Sequence, residues 1–153
     1  MVAVEIFSIE NEVFRLYLLY SSVVLFKMIF LSFYTFHVRT KHGAFISEED
    51  YCKDFPRDEM KALMKNEDVE RVRRCHRNDL ENILPFLVFG LLYSATNPSV
   101  FAATITFRTF TIARFLHSFA YLLPLPRPWR GVAFAAGFLV ILYMGVQILF
   151  TVL

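Results

Sequence analysis

The chain has 153 residues, 56% of them hydrophobic, with 18 Phe and only 5 Gly, and its mean hydropathy lies above zero. So large an apolar load on so short a chain excludes an ordinary soluble domain and points to an integral membrane protein. A net charge of +2 lacks the strongly basic balance of a nucleic-acid binder, so no nucleic-acid partner is expected.

In chain order, residues 1–12 are short and acidic and read as an external or lumenal lip. A first span is expected over about 13–37. Its core from Leu16 to Phe36 holds one charge, Lys27, and is long enough for about 30 Å of hydrocarbon. An intramembrane lysine is read first as a structural partner for a neighbouring helix or a backbone carbonyl. Residues 38–66 form a polar loop broken by Gly43 and Pro56, with a short amphipathic turn in DEMKALMK. A second span, about 67–96, opens on EDVERVRRCHRNDLENILP, with nine charged residues and His76, then continues uncharged. At 1.5 Å per residue, Glu67 to Ala95 predicts one rod of roughly 43 Å, kinked at Pro85. SATNPS predicts a tight turn with Asn97 as cap and Pro98 in the first helical position. A third span, about 99–123, places Arg114, His117 and Tyr121 on one face, a trio that favours a site over structural pairing. LPLPRPWR is a stiff corner before a charge-free fourth span, about 129–152, where Ala133 and Gly137 offer a small-residue contact face.

The chain thus predicts one all-α integral membrane domain over 1–153, a bundle of four transmembrane helices. Ten of the 16 Lys and Arg lie between Arg39 and Arg77, and Arg127 and Arg130 lie in the other connection on that side. The positive-inside rule therefore puts residues 38–66 and 124–130 in the cytosol and both termini outside. Cys52 and Cys75 have no metal-ligand spacing, so neither a metal site nor a disulfide framework is expected.

At about 100° per residue, Arg77, Glu70, Glu81, Arg74, Asn78 and Arg71 fall within roughly a third of the circumference of the second helix. Asp79, His76 and Arg73 lie off this stripe. Arg39, Tyr121 and Arg130 sit near the same cytosolic edge. Arginine forks bind carboxylates, Glu81 can take an ammonium, and a cationic helix N-terminus at Arg130 stabilises a thiolate. A small anion with two carboxylates and an amine suits the inventory, as do plain Glu–Arg pairs on a solvated helix end.

The blocks VERVRRCHRNDLENILPFL, LFKM, GLLYS, ARFLHSFAYL and LPLPRPWR resemble, in order and over nearly the whole chain, the membrane-associated proteins in eicosanoid and glutathione metabolism. The resemblance is closest to that family's type-one microsomal glutathione transferase branch. It implies a homotrimer in the endoplasmic reticulum, and also in the mitochondrial outer membrane, with glutathione as co-substrate between subunits and no metal. By matched motif, glutathione would meet Arg39, Arg73, Arg74, His76, Asn78, Glu81, Arg114 and Tyr121, with Arg130 as the catalytic stabiliser of the thiolate. The second substrate would be a lipophilic electrophile or a lipid hydroperoxide arriving from membrane lipid. Two departures bear on this. Gly131 and Phe134 stand where the prostaglandin E synthase branch has Ser and Tyr, although Arg77 is shared with that branch. Tyr51 stands where the type-one branch often has a redox-sensing cysteine. A prostaglandin E synthase-type isomerase and a non-catalytic membrane scaffold are the alternative readings.

Overall fold

The structure, a computed structural model, describes residues 6–153, so the first part of the expected lip, residues 1–5, lies outside the described residues. The described residues are helical without strands. Four long helices dominate: α1 Glu12–His42, α3 Glu67–Ala95, α4 Val100–Leu122 and α5 Arg127–Val152, with the short α2 Arg57–Met64 and a 3-10 turn at Glu48–Asp50 in the first connection. α1 packs on α3 and α4, and α5 packs on the same two helices, so α1 and α5 occupy opposite corners of the bundle.

Each boundary has a local cause. The Asn11 carboxamide accepts from the Val13 and Phe14 amides at 2.9 and 3.1 Å, satisfying donors that open α1. That helix runs five residues beyond its expected end because the first residue to break it is Gly43, a left-handed cap at φ 60°. Asn66 caps α3 in the same way, and Glu67, Asp68 and Glu70 in the first turn suit the positive end of the helix dipole. The helix then crosses Pro85 without a break. The expected cap at Asn97 is not used. Asn97 turns into the left-handed region at φ 50°, and Ser99 caps α4 by accepting from the Ala102 amide at 3.2 Å. Pro98 and Ser99 separate Asn97 from the helix, where no intervening residue was expected, so the cap moves past Pro98.

α1 buries Val13, Tyr17, Val24, Leu31 and Val38, spacings of four and seven that make one stripe. The centre of the bundle is aromatic: Phe86 and Phe110 stack in parallel at 3.9 Å, and Phe107 meets Tyr17, Phe86 and Tyr93 edge-on. Small residues allow the close crossings. Gly137 faces the Arg114 stem and Ala113, so α5 approaches α4 through the expected Ala133–Gly137 face.

Around this core the surface is apolar. Phe26, Phe30, Phe33 and Phe36 on α1 and Val132, Leu139 and Phe150 on α5 are all exposed. By length and composition α1 and α5 can each cross a membrane. α3 and α4 have 29 and 23 residues, enough length to do so, but both carry internal charges.

Candidate functional site

Every basic connection meets at one end of the bundle. There the last turns of α1 and the first half of α3 border an open-sided cavity of about 520 Å³, within the roughly 300–1,000 Å³ range of small-molecule sites. Arg39, Arg73, Arg74, His76 and Arg77 line it, with Phe36, Ile46 and Leu80 on the apolar side. Two carboxylates temper this charge. Arg73 donates to Glu70 and Arg74 to Glu67, both at 2.5 Å. Four guanidiniums against two acids leave the cavity cationic, with forked donors suited to carboxylates.

The cationic arc continues past the cavity wall. The Tyr121 phenol is a near neighbour of Arg74, and the Arg130 guanidinium lies over the Tyr121 ring, 5.1 Å from its centre. Arg130 sits in the first turns of α5, where the helix dipole adds to its own charge. Arg39, Arg73, Arg74, His76, Tyr121 and Arg130 therefore form one band along the polar end.

Three expected site residues are placed differently. Arg114 is fully buried and is held by Asp79, whose Oδ1 accepts from Nε at 3.0 Å and from Nη2 at 2.5 Å. The same Nη2 donates to the Asn78 carboxamide oxygen at 2.8 Å, so Asn78 is oriented from inside the bundle. Arg114 Nη1 is buried with no partner among the described residues. Glu81 is exposed and makes no ion pair among the described residues, although its helix neighbours Leu80 and Leu84 are apolar and exposed too.

Asp79 is the residue that reading the sequence missed. Besides Arg114, its carboxylate takes Lys27 from α1 and the Ser118 hydroxyl, the latter at 3.3 Å. Lys27 is thus a structural partner of a neighbouring helix, as expected, through a carboxylate. The Cys75 thiol donates to Ser118 at 3.4 Å and is buried, while Cys52 is exposed. A signal was present: Lys27 and Arg114, both inside predicted spans, require an anion, and Asp79 faces away from the charged stripe.

An all-helical bundle with an apolar girdle and a cationic cavity at one end has the build of a membrane protein. The chain belongs to the MAPEG family, whose profile matches residues 17–150. It is 47% identical over 142 residues to microsomal glutathione S-transferase 1 of Sus scrofa, covering 92% of this chain and 91% of that one. The Homo sapiens protein of that name is 43% identical over the same coverage. Prostaglandin E synthase of Equus caballus is 35% identical over 144 residues, covering 92% and 90%.

Proposed function

We propose that this protein is a membrane-bound glutathione transferase that conjugates glutathione to lipophilic electrophiles and reduces lipid hydroperoxides. The observation that carries the reading is the cationic cavity lined by Arg39, Arg73, Arg74 and His76 at the junction of an apolar girdle and a polar end. Glutathione has two carboxylates for the guanidiniums and an amine for a carboxylate. In the proposed assembly, a homotrimer with all four long helices crossing the membrane of the endoplasmic reticulum, a neighbouring subunit closes the open side of the cavity. Asn78 and Glu81 then complete the glutathione contacts, with the buried Arg114 serving the site by orienting the Asn78 carboxamide.

Arg130 stabilises the thiolate that forms when the glutathione thiol loses its proton to solvent. In conjugation the sulfur forms a bond to the electrophilic carbon as the leaving group departs with its electron pair. In the peroxidase reaction the thiolate attacks the peroxide oxygen and releases an alcohol. A second glutathione then displaces water from the sulfenic intermediate to give the disulfide. The apolar substrate reaches the sulfur laterally, from lipid, between the phenylalanine-rich helices.

Relatives named as prostaglandin E synthase support an isomerase as the second reading. Gly131 and Phe134 offer no hydroxyl beside Arg130, which favours the transferase. Titrating the detergent-purified protein with glutathione tests the proposal: a saturable thiolate absorbance band is expected, with conjugate formed from a halonitrobenzene. No thiolate band would overturn it. Conversion of a prostaglandin endoperoxide without conjugation would select the isomerase.

A further inference from the structure

The loop after α1 is folded around one hydroxyl. The Tyr51 phenol accepts from the Phe45 amide at 2.9 Å and donates to the Gly43 carbonyl at 3.0 Å. Its ring packs edge-on against Phe45 and tilted against Phe55, with centres 5.6 and 5.2 Å away. Residues 43 and 45 are therefore fixed on both sides of Ala44. Ala44 itself is fully buried in a small cluster with Val38, Val69 and Val72, wedged between α1 and α3. Its carbonyl accepts from Arg39 Nη1 at 2.9 Å, and its amide donates to the Arg39 carbonyl at 3.0 Å. Two residues further on, Ile46 forms part of the cavity wall.

We propose that Tyr51 is a positioning residue for the cationic cavity, acting through Ala44 to hold the Arg39 guanidinium in the orientation that receives an anionic ligand carboxylate. Resting on the reading of this cavity as the glutathione site, the inference adds a residue that lines no part of it. The physical logic is preorganisation. Arginine carries five N–H donors on a flexible stem, and fixing one nitrogen on a buried carbonyl aims the rest. The carbonyl can serve as that anchor only while the loop on either side of it is held. Tyr51 supplies both attachments with one oxygen, at a point reached by no other side-chain hydrogen bond from the loop to residues 43–45 among the described residues.

The test is a double-mutant cycle with Tyr51→Phe and Arg39→Ala in the detergent-purified full chain, read as glutathione Kd by thiolate absorbance and as KM against kcat. Tyr51→Phe keeps the ring and removes the hydroxyl. It should raise Kd and KM for glutathione about fivefold, the scale of one or two lost hydrogen bonds, and leave kcat within about twofold. In the Arg39→Ala background the same change should have no effect, because the group it positions is gone. A merely structural role would shift the melting temperature and reduce the two backgrounds equally. If Arg39→Ala weakens glutathione while Tyr51→Phe leaves Kd unchanged, or acts equally in both backgrounds, the inference is overturned and the cavity reading stands. If Arg39→Ala itself binds glutathione as wild type does, both fall.

Discussion

Asp79 and Arg114 are a fully buried, two-point ion pair between α3 and α4, and the carboxylate also holds Lys27 of α1. One acid thus ties three of the four long helices together. Within the apolar interior, two cations share one anion, so the three residues are not equivalent. Removing Asp79 strands two buried charges, whereas removing Lys27 leaves a balanced pair. Asp79→Asn is expected to lower stability by about 3–5 kcal/mol, the scale for breaking a buried pair by deleting one partner. Lys27→Met should lose less than about half of that. Thermal unfolding in detergent measures both; equal losses would contradict the shared-anion arrangement.

Close packing of α1 on α3 makes a second prediction. A methyl group at Gly90 would stand 3.0 Å from Tyr17 Cε2 and 3.1 Å from Cδ2. Tyr17 cannot swing away freely, because its hydroxyl donates to the Leu87 carbonyl at 3.0 Å. Gly90→Ala should therefore destabilise the bundle by about 1–3 kcal/mol, as overpacking does. A Tyr17→Leu background should absorb most of that loss, and the coupling between the two changes is the quantity to measure.

Helix existence was legible because charge and apolar runs switch sharply along the chain, and α3 occupies Glu67–Ala95 as its pattern predicts. The face of α3 that lines the cavity was less so. The cavity takes in His76, Leu80, Arg73, Arg77, Glu70 and Arg74, an arc centred roughly 80° around the helix from the predicted stripe. Charge periodicity shows where polar residues cluster, but the neighbouring helix decides which of them share a space. α1 lies against the Arg73 side, so Arg73 and His76 join Arg39, and Arg71 turns to Asp68 with His42 nearby. Asp79 was hidden for the same reason. Its role comes from residues 52 and 35 positions away, which no local period reveals.

Catalysis in the proposed scheme depends on Arg130, packed over the Tyr121 ring. Arg130→Ala should cut conjugation by at least about 100-fold, the scale for losing one preorganised charge stabiliser. Glutathione should still bind, since the cavity arginines on α1 and α3 are untouched. Equilibrium binding together with steady-state turnover checks this. Near-normal turnover in a folded, glutathione-bound variant would remove Arg130 from the catalytic role.

Glu81 carries the last prediction. It stands exposed on α3 between Leu80 and Leu84, which are 51% and 57% exposed, and it has no ion-pair partner among the described residues. Beyond Arg77 and Asn78 the face turns apolar at Leu84 and Val88, and a bare carboxylate at that edge is costly, so a cation from outside the single chain should cover it. In the proposed assembly that cation is the glutathione α-amino group. Removing the acceptor of a partly buried ammonium should weaken glutathione by roughly 1.5–3 kcal/mol in Glu81→Gln, more than a surface pair is worth. The competing account is that a basic side chain of a neighbouring subunit covers Glu81 and no ligand ever meets it. Deaminated glutathione separates the two. If Glu81 holds the amine, the deaminated ligand binds wild type poorly and loses little more in Glu81→Gln. If Glu81 only joins subunits, the substitution weakens both ligands equally and loosens the apo assembly. Equal losses for the two ligands, measured by thiolate titration, would therefore take Glu81 out of the binding site.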